Sequence, residues 1–143
     1  MATHAPRRDA GREAWALLGQ LTLNQRSRFM AAVAEFDLSP MQAHALKMLD
    51  PQHPLPMSDL AGQLRCDASN VTGIVDRLEG RGLVERHPDA ADRRVKALAL
   101  TSEGLALRER VVERLAEPPE AIKRLSAEDQ RVLRDILVRA LDG

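Results

Sequence analysis

Apolar residues recur at helical spacing near both ends of the chain. The N-terminal stripe consists of Ala14, Leu17, Leu18, Leu21, Phe29, Val33 and Phe36. The C-terminal stripe consists of Val132, Leu133, Ile136, Leu137 and Leu141. This spacing predicts a first helix from about residue 10 to residue 37, and a last helix that begins after the capping residue Ser126.

Between these stripes, capping signals divide the chain into shorter helices. Ser39-Pro40-Met41-Gln42 combines a Ser cap, Pro at the first helical position and Gln three residues after the cap, which is a capping box. It predicts a helix from Pro40 to about Leu49. Ser58 is the candidate cap of a third helix, and Asp67 or Ser69 caps a fourth only a few residues later. The apolar positions of that fourth helix are Val71, Ile74, Val75 and Leu78.

Turn residues then predict a β-hairpin. Gly80 and Gly82 end the fourth helix, and the segments 83–86 and 95–100 flank a turn over residues 87–92. The proline-rich loop before Ser58 leaves room for only a short edge strand. Thr101 caps a fifth helix, which Pro118-Pro119 interrupts.

Two short helices joined by a tight turn are typical of a helix-turn-helix, whose second helix enters the major groove of DNA. The residues predicted to face outward on that helix are Ser69, Asn70, Thr72, Gly73 and Arg77. All but Gly73 carry groups that bond base edges or phosphates. Gly73 costs helix stability. A close approach of the DNA backbone explains it, and the alternative is that Gly73 relieves crowding against a neighbouring helix.

The hairpin carries a compact basic cluster of Arg93, Arg94 and Lys96. Guanidinium groups held there can reach the adjacent minor groove. Asp92 and Asp89 flank the two arginines and can fix one of them by a bidentate pair. The alternative is that these are ordinary solvated charges on a turn.

Composition excludes several other classes. The chain has 21 basic and 21 acidic residues and one cysteine, so DNA binding would depend on local arrangement, and neither a disulfide framework nor a zinc site rich in thiolates is available. The four histidines are scattered, which predicts no metal, and no cofactor is expected. No nucleophile with a matched base or phosphate-binding loop indicates an enzyme. No signal or membrane segment is recognised, so we expect a cytoplasmic protein.

The run from Ser58 to Gly104 resembles the winged-helix core of the MarR family of bacterial transcription regulators. The resemblance is carried by Val-Thr and Val-Asp-Arg-Leu-Glu in the fourth helix, Gly-Leu-Val-x-Arg, Asp-x-x-Asp-Arg-Arg and Leu-Thr-x-x-Gly. It extends more weakly to residues 38–42 and 125–128. It implies a mainly α fold: a winged helix-turn-helix lobe (39–101) with a small antiparallel hairpin wing, dimerisation helices (10–37 and 102–143), and a disordered tail (1–9). Residues 10–143 are expected to form a single domain.

The resemblance also implies function. The chain is expected to be a homodimeric repressor of a palindromic operator, relieved by a small, often aromatic, ligand. By position, Ser69, Asn70 and Thr72 read the major groove and Arg77 meets backbone or bases. Arg94 enters the minor groove, oriented by Asp92. Many relatives carry a basic side chain where this chain has Gly73, so one DNA contact is expected to be missing.

Other interpretations remain open. Trp15 and His44 are candidate ligand contacts, although a dimer-core role for Trp15 and a surface role for His44 are the alternatives. Cys66 precedes the recognition helix and is a candidate thiol sensor, with a role as a small buried residue as its alternative. The whole chain is alternatively a winged-helix protein-interaction module that does not bind DNA.

Overall fold

The structure, a computed structural model, describes residues 9–142 and is mainly helical with one small antiparallel sheet, which confirms the predicted fold class. The helices are α1 (Ala10–Thr22), α2 (Gln25–Ala34), α3 (Pro40–Met48), α4 (Met57–Leu64), α5 (Ala68–Gly80), α6 (Ser102–Ala116), α7 (Glu120–Lys123) and α8 (Ala127–Leu141). The strands are β1 (Leu55–Pro56), β2 (Val84–Pro88) and β3 (Lys96–Leu100). The predicted tail lies outside the described residues except for Asp9, whose side chain caps α1.

The chain divides into two compact units. One comprises residues 25–116, with α2 to α6 and the sheet, and is called the winged lobe below. The other comprises, of the described residues, 9–24 and 117–142 and contains α1, α7 and α8. No helix within residues 9–142 is both long and apolar enough to cross a bilayer.

The prediction of one continuous N-terminal helix is wrong, because the chain breaks between α1 and α2 at residues 23 and 24. The Thr22 hydroxyl donates to the carbonyl oxygen of Leu18 at 2.9 Å and lies 3.3 Å from that of Gly19. Such bonds from a side chain to its own helix compete with continued helical pairing. Asn24 follows at the break and has a low helix propensity.

The winged lobe is built around a single apolar core. Its most deeply buried large side chains come from every helix of the lobe and from β2 and β3: Val33, Leu46, Leu60, Val71, Val75, Leu78, Val84, Leu98 and Val111. The predicted inward face of α5 is confirmed, with Ile74 only half-buried at its edge. This core fixes the opposite face of α5 toward solvent.

Capping explains where the helices of the lobe begin. The predicted capping box is present at α3: Ser39 Oγ accepts from the Gln42 N–H, and Gln42 Oε1 accepts from the Ser39 N–H at 3.1 Å. The prediction that Ser58 caps α4 is wrong, because Pro56 occupies the cap position and Ser58 lies in the first turn. The proline side chain has no acceptor, so the first N–H groups of α4 receive no side-chain cap.

The three strands are antiparallel in the order β1-β3-β2. The hairpin pairs Val84 with Leu100 and Pro88 with Lys96. The predicted turn began too early, because His87 and Pro88 continue the strand and the connecting loop covers residues 89–95. Pro88 is tolerated because it is the last residue of its strand, where no further ladder donor is needed.

The junction of the sheet with α6 gives a physical reason for the Leu-Thr-x-x-Gly motif. The Thr101 hydroxyl donates to the Gly82 carbonyl oxygen at 2.6 Å and accepts from the Gly104 N–H at 3.0 Å. A Cβ at Gly104 would lie 1.8 Å from the carbonyl oxygen of Leu83. Only glycine therefore lets α6 pass this close to the strand that leads into the wing.

At the C-terminus, α6 ends at Ala116, before the two prolines, as predicted. Ser126 caps α8 by accepting from the Asp129 N–H at 3.0 Å, which confirms that prediction. The sequence interpretation missed α7, which has only four residues. A single turn this short leaves no repeat of apolar spacing to detect.

Candidate nucleic-acid interface

The first turn of α5 is fixed by Asp67. Its carboxylate accepts from the Asn70 N–H at 2.9 Å and from the Ser69 hydroxyl at 2.8 Å. These bonds, the Asn70 backbone bond first, hold the pKa of Asp67 below its usual range. A negative charge at this end of α5 also stabilises the helix dipole. The start of α5 is therefore stabilised by the side chain of its own capping residue.

The predicted reading residues, Ser69, Asn70, Thr72, Gly73 and Arg77, are all exposed on the outer face of α5. Their hydrogen-bonding states differ. The Ser69 hydroxyl already donates to Asp67, and the Thr72 hydroxyl donates to the Ala68 carbonyl oxygen at 2.9 Å. These two residues can offer DNA mainly an acceptor.

Asn70 and Arg77 are different, because neither side chain has a hydrogen-bond or ion-pair partner among residues 9–142. Both retain all their donors for a ligand. Gly73 lies between them, and a Cβ added there would meet nothing within 4 Å. The interpretation that Gly73 relieves crowding against a neighbouring helix is therefore wrong, and its lack of a side chain leaves open space on the outer face.

The wing tip is an ordered loop that holds its arginines outward. Asp92 Oδ1 accepts from the Arg94 N–H at 3.0 Å and lies 3.5 Å from Arg94 Nε, while the Arg94 side chain remains 93% exposed. The Asp89 carboxylate accepts from the Asp92 N–H and not from an arginine. The predicted bidentate pair is thus absent, because Asp89 is used to close the loop. Asp92 alone contacts Arg94.

Arg93 and Lys96 complete the predicted basic cluster of the wing. Both are exposed, and neither has an ion-pair partner in the described part of the chain. The wing therefore presents three positive side chains, of which one is held by a neighbouring carboxylate.

Arg86 joins the wing to the recognition helix, a role that the sequence interpretation did not assign. Its guanidinium on β2 bonds Asp76 and bonds Glu79 Oε1 at 2.9 Å, while the Arg86 N–H donates to Glu79 Oε2. The side chain is 22% exposed, and the pKa of Arg86 is raised, with the hydrogen bond to Asp76 as the main cause. The two acids are three residues apart and therefore lie on one side of α5.

Arg81 anchors the other end of α5. Its guanidinium donates to the carbonyl oxygens of Asp37 at 2.9 Å and Phe36 at 3.1 Å, in the turn that follows α2. Asp37 has a left-handed backbone, with φ of 54°. This contact joins positions 44 and 45 residues apart in the chain, and nothing in the local sequence indicates it.

The candidate ligand and sensor residues are placed separately. Trp15 is 77% exposed on α1, in the unit outside the winged lobe. His44 lies within the lobe and stacks on Phe29, with ring centroids 4.9 Å apart. Cys66 is half-buried against the core, with its sulfur 3.5 Å from the Leu64 carbonyl oxygen. No group of residues that could hold a metal ion is found within residues 9–142.

Comparisons with known proteins identify relatives of this chain. The profile of the MarR family matches residues 38–96. The HTH-type transcriptional regulator FarR of Neisseria gonorrhoeae is 33% identical over 112 residues, which cover 78% of this chain and 77% of FarR. The HTH-type transcriptional regulator PapX of Escherichia coli is 32% identical over 95 residues, and this match covers 62% of this chain and 58% of PapX.

Solved structures confirm the fold. A mutant of S. aureus MepR, bound to an oligodeoxyribonucleotide, matches with a TM-score of 0.71 and 24% identity over 90% of this chain and 96% of MepR. The curated relatives are transcription regulators and not enzymes, as the sequence predicted for this chain. The chain belongs to the MarR family of winged helix-turn-helix transcription regulators.

Proposed function

We propose that the protein binds double-stranded DNA sequence-specifically, as a homodimeric repressor of a palindromic operator that a small ligand relieves. The observation that carries the proposal is the joint arrangement of α5 and the wing. Asn70 and Arg77 on the outer face of α5 have no side-chain partner among residues 9–142, and Arg86 joins this helix to the strand that leads to Arg94. A reading helix and an arginine-bearing wing can then engage adjacent grooves together.

Internal pairing explains how a lobe of balanced charge can favour DNA. Asp76 and Glu79 both pair with Arg86, and the Asp67 carboxylate is occupied by the first turn of α5. The cations that remain without an ion pair among residues 9–142 include Arg77, Arg93 and Lys96. These three carboxylates on or beside α5 are thus engaged within the lobe, whereas these cations are available to phosphates.

The dimer is supported by exposed apolar surface outside the winged lobe. Neither α1 nor α8 contains a buried residue. The large apolar side chains that they expose are Trp15, Leu17, Val132, Ile136, Leu137, Val138 and Leu141. A large amount of exposed apolar surface marks an interface. A two-fold dimer would present two copies of α5, which is why we propose a palindromic operator.

The proposal of a small ligand is based on the family resemblance and not on a cavity. It would act by binding one spacing of the two lobes of the dimer better than another. Trp15 and His44 remain its candidate contacts. Because operator DNA lies in the bacterial cytoplasm, we also propose that location.

The test is selection of bound sequences from random duplex DNA. We expect an inverted repeat whose half-sites have centres about one helical turn, roughly 34–36 Å, apart. Recovery of no enriched sequence, together with equal weak binding to all duplexes, would contradict the proposal.

The second candidate function is a protein-interaction module without DNA binding. Exposed arginines at the wing tip count against it, because a module of that kind has no need to hold Arg94 in place with Asp92. A thiol sensor at Cys66 is disfavoured because its side chain packs against the core.

A further inference from the structure

A shallow depression lies between the N-terminal end of α3 and the outer face of α5. Its volume is about 240 Å³, and its lining includes Ser39, the cap of α3, and Gln42 from α3, and Asn70, Gly73 and Arg77 from α5. The α3 residues are outside the set that the sequence assigned to DNA contact. Their position beside the recognition helix raises the question of what the depression holds.

Gln42 supplies an unused donor at its wall. The residue is only 8% exposed. Its side-chain oxygen accepts the Ser39 N–H, which fixes the orientation of the amide, but the Nε2 group has no protein partner among residues 9–142. This donor is therefore free to bond a group from outside the protein. Gln42 lines the depression, where an external acceptor can bind.

Charge and shape specify the acceptor. Arg77 brings a cation without an internal partner, and no carboxylate lines the depression. The Ser39 and Asn70 side chains add further donors that are not used within the described residues. Gly73 leaves space for an approaching group. Several neutral donors and one cation around a small open space are suited to a singly charged anion.

We infer that this depression binds one phosphodiester of the DNA backbone, through the Gln42 amide and the Arg77 guanidinium. The inference depends on the proposed DNA binding and adds α3 to the interface. It assigns Gln42 a sequence-independent contact that fixes where α5 sits along the groove. A base edge is less suitable, because Gln42 belongs to the helix beside the reading helix.

The first experiment compares Gln42→Glu with Gln52→Glu. A glutamate at position 42 can still accept the Ser39 N–H, so the capping box is retained, but the Nε2 donor is replaced by an acceptor. Gln52 is exposed in the loop after α3 and lies at the opposite end of this helix, so its variant controls for the same change of charge. Duplex affinity and thermal unfolding are measured for both variants and for the unsubstituted protein.

We expect Gln42→Glu to weaken binding at least about tenfold, both on the selected operator and on unrelated duplexes. Gln52→Glu should stay within about twofold, since a remote surface charge is largely screened. Unchanged affinity of a folded Gln42→Glu variant would overturn the inference. So would a loss confined to one base-pair sequence, because that would indicate base recognition.

A second measurement uses the unsubstituted protein and therefore does not depend on the variant folding. Single neutral methylphosphonate linkages are placed in turn along the operator. In each half-site, a neutral linkage at one position should lower the affinity of the unsubstituted protein. For DNA that carries the neutral linkage at this position, Gln42→Glu should lower the affinity little further. If Gln42→Glu lowered the affinity by the same factor wherever the neutral linkage was placed, the inference would be overturned. If the unsubstituted protein binds no duplex at all, the proposed function itself fails, which is a different result.

Discussion

At the scale of single residues, the wing shows how a carboxylate can position an arginine side chain and still leave most of its guanidinium exposed. Asp92 bonds the backbone N–H of Arg94 and touches only Nε, so the rest of the guanidinium stays exposed. Such a contact restricts the side chain before binding and reduces the entropy lost when it enters a groove.

Arg94→Ala is therefore expected to weaken operator binding by roughly 5- to 150-fold, the usual loss for a specific groove contact. Arg12→Ala is the matched control, because Arg12 is an exposed arginine beside one acid, Asp9, in the other unit. Titration of a labelled operator measures both. Affinity equal to that of the unsubstituted protein would remove Arg94 from the interface.

Gly73→Ala should separate stability from binding. Alanine is favoured over glycine within a helix by about 1 kcal/mol, and the added Cβ meets no neighbour, so thermal unfolding should move to higher temperature. Operator affinity should fall, because the methyl group occupies the space left for DNA. Gly62→Ala, at an equally open helical glycine of α4, should stabilise without changing affinity. If Gly73→Ala binds as tightly as the unsubstituted protein, the glycine does not serve DNA approach.

At the scale of elements, α5 is held at three points: by Asp67 at its start, by Arg86 along its side and by Arg81 at its end. The capping interaction of Asp67 depends on pH. Because the folded-state pKa of Asp67 is lowered, its contribution to stability is complete above the ordinary value of 3.8 and is lost as the pH falls through the lowered value.

Asp67→Asn should remove that dependence and keep the cap, since asparagine caps helices as well as aspartate does. We expect similar unfolding temperatures for the two proteins near neutral pH and a smaller acid-side decrease for the variant. Thermal unfolding followed from about pH 6 to about pH 2 measures this difference. Glu35 and Asp50 also have lowered pKa values. Both residues are present in the two proteins, so their contributions cancel in the difference between the two unfolding curves. If the unfolding temperatures of the two proteins fell equally with decreasing pH, the role of Asp67 would be contradicted.

Local chemistry decided which elements the sequence could predict. The capping boundaries at Ser39 and Ser126 were correct because the signal and the bond lie within three residues. The break at residues 23 and 24 was missed because the apolar spacing continues across it. The Arg86 bridge was missed because it joins a strand to a helix through space, and periodicity carries no information on such a contact.

The predicted interface divides in the same way. The residue types facing outward on α5 follow from helical period, whereas their hydrogen-bonding states do not. That the Ser69 and Thr72 hydroxyls are used internally, while Asn70 is not, becomes visible only with the backbone in place.

At the scale of the whole molecule, the two compact units differ in how much apolar surface they bury. The winged lobe has a closed core, whereas α1 and α8 have no buried residue. A second copy of the chain is the proposed cover for that surface. The stability of this unit should therefore increase with protein concentration.

Ile136→Asp tests directly whether a second copy of the chain packs on this apolar surface. Ile136 is 47% exposed on α8, and an unpaired carboxylate buried in a dimer interface costs several kcal/mol. We expect a monomer by light scattering and loss of operator binding. Ala127→Asp, which adds the same charge in the first turn of α8 where the helix dipole favours it, should remain dimeric. A dimeric Ile136→Asp protein would exclude this face from the interface.

The contact made by Arg81 has a consequence for how relatives diverge. Its guanidinium binds two main-chain oxygens, and every residue type supplies such an oxygen. Substitutions at positions 36 and 37 can therefore accumulate without a compensating change at position 81, as long as the backbone keeps its path. Statistical co-variation detects contacts through paired changes, so we expect it to reveal the Arg86 bridge to two acidic side chains and to overlook the Arg81 anchor at the far end of the same helix.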